Sequence, residues 1–246
     1  MRRLLDSASV GRRVAALSGA LFVVLIMATP EPSAIGHEGH SAPGIEQFYI
    51  ANERSFQAAL LLVGAAYAAF VCFLVVLAKE LRRAEGEEGV LSRLAVGAGF
   101  LIAAFYVLGT VLRIAPGLEA GLVADPAYLE SWARFGEQAN NALVEVATFW
   151  RGLLLGSVAL VILRFGGLPR WLGWLAAALG CAALLGSVGF VESPGQPAFT
   201  VLGFGSFIAF HFWVLLTSVA LLVRAGTKSR SPLDALQPSP EGSATR

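Results

Sequence analysis

Long apolar runs separated by short polar segments dominate the chain. The five longest match a membrane-spanning helix, because about 20 apolar residues cross the hydrocarbon core of a bilayer. They cover residues 56–78, 94–115, 142–163, 171–191 and 199–223, and a shorter run covers 14–28. This pattern predicts an all-α integral membrane bundle with six spans.

The first apolar run allows two interpretations. Basic residues precede it, at Arg12 and Arg13, and prolines follow it, at Pro30 and Pro32. A basic flank before a short apolar core is typical of both a cleaved signal peptide and a retained anchor. Residues 1–29 are therefore either an N-terminal anchor or a signal peptide. We favour the anchor, because Ile26-Met27-Ala28 is only a fair cleavage site. If the segment is a signal peptide, five spans are left.

The polar segments complete the predicted domain order. Residues 30–55 are rich in Gly and Pro, which predicts an extracytoplasmic loop before the membrane bundle at 56–226. Asp125-Pro126 resembles a helix N-cap followed by proline, and it opens a segment with Tyr128, Leu129, Trp132 and Phe135 on one face. Here we expect an interfacial helix near 125–140, lying on the membrane surface. Residues 227–246, rich in Ser and Pro, predict a disordered cytoplasmic tail.

Composition and charge narrow the class of protein. The chain is 56% hydrophobic and 14% charged, with a mean hydropathy of +0.69, and its net charge of +1 excludes nucleic-acid binding. Fourteen of its 18 Lys and Arg residues lie before residue 14, at 79–93, at 164–170 or after residue 223. Because cytoplasmic segments retain basic residues, we expect both termini in the cytoplasm.

The main candidate site is a polar set within the apolar runs. Arg151 lies close to the middle of a predicted span, where a charge costs about 2.5–3.5 kcal/mol and so requires polar partners, water or a ligand. Glu145 is six residues earlier, about 120° away around the helix, so a partner from another span is favoured. The candidates for a ligand pocket are Arg113, Glu145, Thr148, Arg151, Glu192 and His211. They form either an internal salt-bridge network or an outward-facing pocket.

Two further hypotheses concern histidines. His211 shares a helix face with Phe204 and Phe207 and could belong to a redox subunit or enzyme, although no second histidine in a span supplies a haem ligand pair. His37 and His40, with Glu38 between them, predict weak capture of copper or zinc in a metal-handling or transport component. Cys72 and Cys181 each lie alone in an apolar run and suggest neither a metal pair nor a disulfide.

Two C-terminal stretches resemble a known group of proteins. They are Arg164-Phe165-Gly166-Gly167-Leu168-Pro169-Arg170-Trp171-Leu172-Gly173-Trp174 and Phe210-His211-Phe212-Trp213-Val214-Leu215-Leu216. Both are similar to the C-terminal spans of small bacterial multi-pass membrane proteins with no assigned function. The resemblance implies a bacterial cytoplasmic membrane and carries over no functional residue.

The sequence therefore favours a non-enzymatic role. We expect a multi-pass inner-membrane protein whose outward-facing polar pocket binds a small ligand or a partner membrane protein. Metal handling at His37 and His40, with copper or zinc, is the first alternative. A redox subunit or enzyme built around His211 is the second.

Overall fold

The computed structural model of the chain is all-α, as predicted. It describes residues 2–30, 42–119, 125–188 and 198–227. These residues form seven helices: α1 (Arg2–Ala28), α2 (Ala42–Ala51), α3 (Glu53–Glu85), α4 (Val90–Glu119), α5 (Pro126–Phe165), α6 (Arg170–Gly186) and α7 (Ala198–Thr227).

Two tight turns fold neighbouring helices into antiparallel hairpins. The turn at 86–89 joins α3 to α4, and the turn at 166–169 joins α5 to α6. Gly86 and Gly166 have φ angles of 99° and 83°, a left-handed backbone that favours glycine. The Glu85 carboxylate accepts hydrogen bonds from the Ser92 hydroxyl and from the main-chain N–H groups of Leu91 and Ser92, and thereby caps the start of α4.

Six helices form a closed ring in chain order. Each of α1, α3, α4, α5 and α6 packs against the next, and α7 packs back against α1. The short helix α2 lies at one end of the ring, where Ile45 and Tyr49 pack against Phe56 of α3, Ile114 of α4 and Leu129 of α5. We call this end the α2 end, and the end with the two hairpin turns the turn end.

The core toward the turn end is apolar and tightly packed. Leu74, Leu77 and Leu81 of α3 meet Leu154 and Val158 of α5, and the contact leaves no space for a water molecule. Such packing is typical of protein interiors, which approach the density of organic crystals.

Four helices of the described residues are long and apolar enough to cross a membrane: 53–85, 90–118, 127–165 and 201–224. The apolar parts of α1 (Ala16–Ala28) and of α6 (Arg170–Gly186) are shorter. The described residues therefore form a helical bundle, and four of its helices fit membrane spans in length and composition.

Two predicted boundaries are wrong. Residues 42–51 are helical rather than part of a loop at 30–55, because α2 buries Ile45 and Tyr49 against the bundle. The interfacial helix near 125–140 is not a separate element. Asp125 does cap it, accepting from Ala127 N at 3.0 Å, but the helix continues without a break to Phe165. Leu129 is buried against α2, while Tyr128 and Phe135 are exposed.

Candidate functional site

Arg151 lies inside the ring and is only 1% exposed. Its guanidinium donates to the Tyr106 hydroxyl of α4 at 3.0 Å and to the Thr148 hydroxyl, one turn earlier on α5, at 3.0 Å. On α7 it donates to the Gly203 carbonyl and the Ser206 hydroxyl, both at 3.1 Å. Partners from other helices were expected, and α4 and α7 supply them.

All of these partners are neutral. No carboxylate of the described residues forms an ion pair with Arg151, and its Nε is buried without a hydrogen-bond partner. The Phe207 ring lies 5.5 Å from the guanidinium carbon, a cation–π distance. Glu145 is half-buried and interacts with Arg151 electrostatically without bonding to it. The direct salt bridge of the network hypothesis is therefore not formed by this pair.

A cavity of about 100 Å³ lies toward the α2 end, in front of Arg151. Tyr106 and Phe207, which both contact the guanidinium, form part of its wall. The lining residues come from α3, α4, α5 and α7 and from the end of α1: Ile26, Thr29, Val63, Tyr67, Tyr106, Thr110, Arg113, Asn140, Val144 and Phe207. We call it the α2-end cavity.

Arg113 is the charged residue of this lining. Its Nε is buried and has no hydrogen-bond partner among the described residues. The α4 backbone that carries it runs close to α5, because Gly136 has no side chain and contacts the Leu112 carbonyl. The glycine thus allows the close approach that places Arg113 beside the cavity.

The charges around α2 also affect Tyr49, which packs beside this site. Burial, together with the negative charge of Glu137, raises the pKa of Tyr49 from 10.0 to about 12, although the positive charge of Arg113 partly opposes this shift. Tyr49 is therefore neutral at physiological pH.

The hydroxyl groups of the lining differ in what they can offer a ligand. Thr29 donates to the Leu25 carbonyl and Thr110 to the Tyr106 carbonyl, both at 2.8 Å, so their hydrogens are already used. The Tyr106 oxygen instead accepts from Arg151, which leaves its own hydrogen available. Tyr67 stacks on Tyr106 with ring centroids 5.6 Å apart.

His211 is buried beside the cavity wall but does not line the cavity. Its Nδ1 bonds to the Phe207 carbonyl at 2.7 Å, and its ring stacks on Phe22 of α1 at 5.2 Å. Nε2 is buried without a partner among the described residues. The rings of Phe22, Phe207 and Phe210 therefore surround the imidazole.

The remaining predicted site residues, Glu192, His37 and His40, lie outside the described residues, and so does Glu38. Within the described ranges, no three His, Cys, Asp or Glu side chains are grouped so that they could hold a metal ion.

Sequence reasoning missed Tyr67, Tyr106 and Asn140. A signal for the tyrosines was present, because both lie within predicted apolar spans and a buried tyrosine hydroxyl usually finds a hydrogen-bond partner. Asn140 immediately precedes a predicted span, where polar residues are common and carry no such signal.

The chain matches no protein-family model, no curated protein and no solved structure.

Proposed function

We propose that this chain is a multi-pass protein of a bacterial cytoplasmic membrane that binds a small ligand in the α2-end cavity. One observation carries the proposal. The cavity wall contains an arginine with a buried, unpartnered Nε, and a second arginine with neutral partners only lies directly behind that wall. Buried charge without a counter-ion is costly, so a ligand or water that contacts it stabilises the site.

The ring supports six spans rather than five. Phe22 of α1 is 1% exposed, and Gly19 lies against Ser218 of α7 and Phe73 of α3, so loss of α1 would open the bundle. The end of α1 also supplies Ile26 and Thr29 to the cavity wall. We therefore propose that the N-terminal segment is retained as a helix of the bundle.

Charge supports an orientation with the cavity on the outer side. Basic residues collect at the turn end, for example Arg82, Arg93, Arg164 and Arg170, and such residues are typical of cytoplasmic connections. Cysteines at the exposed positions Gln47 and Glu87 test this in a background without Cys72 and Cys181. An impermeant thiol reagent should label Gln47→Cys and not Glu87→Cys in intact cells, and the opposite result would invert the orientation.

Access to the cavity tests the proposed binding function. Thr110 lines the cavity and Ser157 lies outside it, yet their exposures are similar, at 7% and 4%. A small methanethiosulfonate should modify Thr110→Cys in the purified protein and leave Ser157→Cys unmodified. If the reagent modifies neither cysteine, no ligand can reach the cavity.

The metal and redox alternatives stay predictions, since their residues lie outside the described ranges or, for His211, between aromatic rings. Metal analysis and an absorption spectrum of the purified protein would test them.

A further inference from the structure

We propose that the ligand of the α2-end cavity is a short aliphatic carboxylate, with Arg113 as its cationic contact and the Tyr106 hydroxyl as a second donor. This inference depends on the proposed binding function and adds the chemical class of the ligand.

The charge of the lining selects for an anion. Arg113 is cationic, and none of the other nine lining residues carries a carboxylate. Glu145 and Glu137 lie nearby on α5 but do not line the cavity, and neither forms an ion pair with Arg113 in the described part of the chain. A guanidinium binds a carboxylate with two parallel hydrogen bonds, which is among the strongest pairings in proteins.

The hydroxyl groups favour the same class of ligand. Arg151 donates to the Tyr106 oxygen and thereby leaves the tyrosine hydrogen to donate to a ligand oxygen. Thr29 and Thr110 cannot donate to it, because both hydroxyls already donate to main-chain carbonyls. Arg151 therefore acts as a positioning residue, since it fixes Tyr106 as a donor and adds positive charge behind the wall.

Size and apolar contacts restrict the ligand further. The cavity of about 100 Å³ is smaller than the cavities of about 150 Å³ that hold benzene. Four apolar side chains, those of Ile26, Val63, Val144 and Phe207, line the remaining wall. A short alkyl tail can contact them. Inorganic phosphate, by contrast, would place charged oxygens against them, at a large cost in desolvation.

The test measures the melting temperature of the purified full-length protein with sodium propionate at fixed ionic strength. Propionamide, a neutral isostere, and inorganic phosphate are compared with it. Acetate, butyrate and hexanoate vary the length of the alkyl chain. Propionate should stabilise the protein, and the shift should decline toward hexanoate. Arg113→Gln should weaken propionate binding by about tenfold to a hundredfold, since it removes a charge-assisted hydrogen bond. Arg134→Gln, which removes an exposed charge paired with Glu130, is the matched control and should bind normally.

The other outcomes separate the two proposals. Equal stabilisation by propionamide, undiminished binding in Arg113→Gln, or a larger effect of phosphate would overturn the carboxylate assignment and leave the cavity as the binding site. Hexanoate as the strongest ligand would also overturn it and would point to a lipid-derived acid. Val144→Phe fills the cavity, whereas Val144→Ile fills only part of it. If the ligand effects survive in Val144→Phe, or are undiminished in Val144→Ile, the cavity is not the site and the proposed function fails with it.

Discussion

The two halves of the bundle differ in packing and in polarity, although the same helices run through both. On the turn side, Leu74, Leu77, Leu154 and Val158 pack without space for water. On the α2 side, the same α5 helix carries the buried Arg151 behind a cavity of about 100 Å³. The half at the turn end is packed as a structural core, whereas the half at the α2 end contains a cavity and hydrogen-bond donors without partners among the described residues.

Because of this difference, we expect the half at the turn end to contribute most to stability and the half at the α2 end to bind the ligand. Tight apolar packing contributes most to the free energy of unfolding, because each buried methylene contributes about 0.8 kcal/mol. Buried polar groups without a partner, such as Nε of Arg113 and of Arg151, lower the free energy of unfolding, because each has lost its hydrogen bonds to water. Substitutions in the two halves should therefore have unequal effects on stability.

The largest effect is expected from truncation in the packed half. Leu154→Ala should lower the free energy of unfolding by about 2–5 kcal/mol, because Leu154 is fully buried and its neighbours cannot close the space. Val144→Ala, on the same helix beside the cavity, should cost less than about 1 kcal/mol, since it only enlarges an existing space. Denaturant unfolding of both variants tests this, and equal losses would remove the distinction between the halves.

A smaller effect is expected where Gly136 of α5 lies against the α4 backbone. In Gly136→Ala the new methyl group would overlap the Leu112 carbonyl, so the helices must separate, at a cost of about 1–3 kcal/mol. Gly205→Ala is the control. Beyond the adjacent backbone of α7 itself, no atom of the described residues lies within 4 Å of that methyl position, so the change should be neutral or stabilise α7 by up to about 1 kcal/mol. Thermal unfolding in detergent compares the two, and a stable Gly136→Ala would contradict the close approach.

The attachment of α2 should depend on pH. Because the pKa of folded Tyr49 is raised to about 12, the stabilisation from this group is complete below its ordinary value of 10.0 and is lost as the pH rises through 12. At about pH 11 the wild type should have lost about 1.4 kcal/mol of that contribution. Tyr49→Phe cannot ionise and should lack this loss. Parallel pH dependence in both proteins would show that Tyr49 is not the responsible group.

The fold was more predictable from the sequence than the site was. Spanning length and the Asp125 cap are local properties: four helices of the described residues are long and apolar enough to cross a membrane, and Asp125 does cap α5. The partners of Arg151 depend instead on how α4 and α7 are rotated. In helices that are apolar on every side, periodicity does not reveal rotation, because lipid and protein interior select similar residues.

Two glycines illustrate this limit. Gly186 and Gly205 both belong to four-residue spacings of small residues, a pattern typical of helix contacts. Gly186 does contact Gly203 on α7, whereas Gly205 contacts no neighbouring helix and is exposed. The sequence offers the same pattern for a helix contact and for a lipid-facing surface.

The central claim, that Arg151 serves a binding site rather than a structural ion pair, is tested most directly by Arg151→Met. Loss of the hydrogen bonds to neutral partners and relief of a buried charge oppose each other, so the free energy of unfolding should stay within about 1 kcal/mol of the wild type. Adding Glu145→Gln or Glu192→Gln should restore nothing, because Arg151 forms no ion pair with a carboxylate of the described residues. A loss of about 3–5 kcal/mol that either second substitution rescues would instead establish a buried ion pair and contradict the claim.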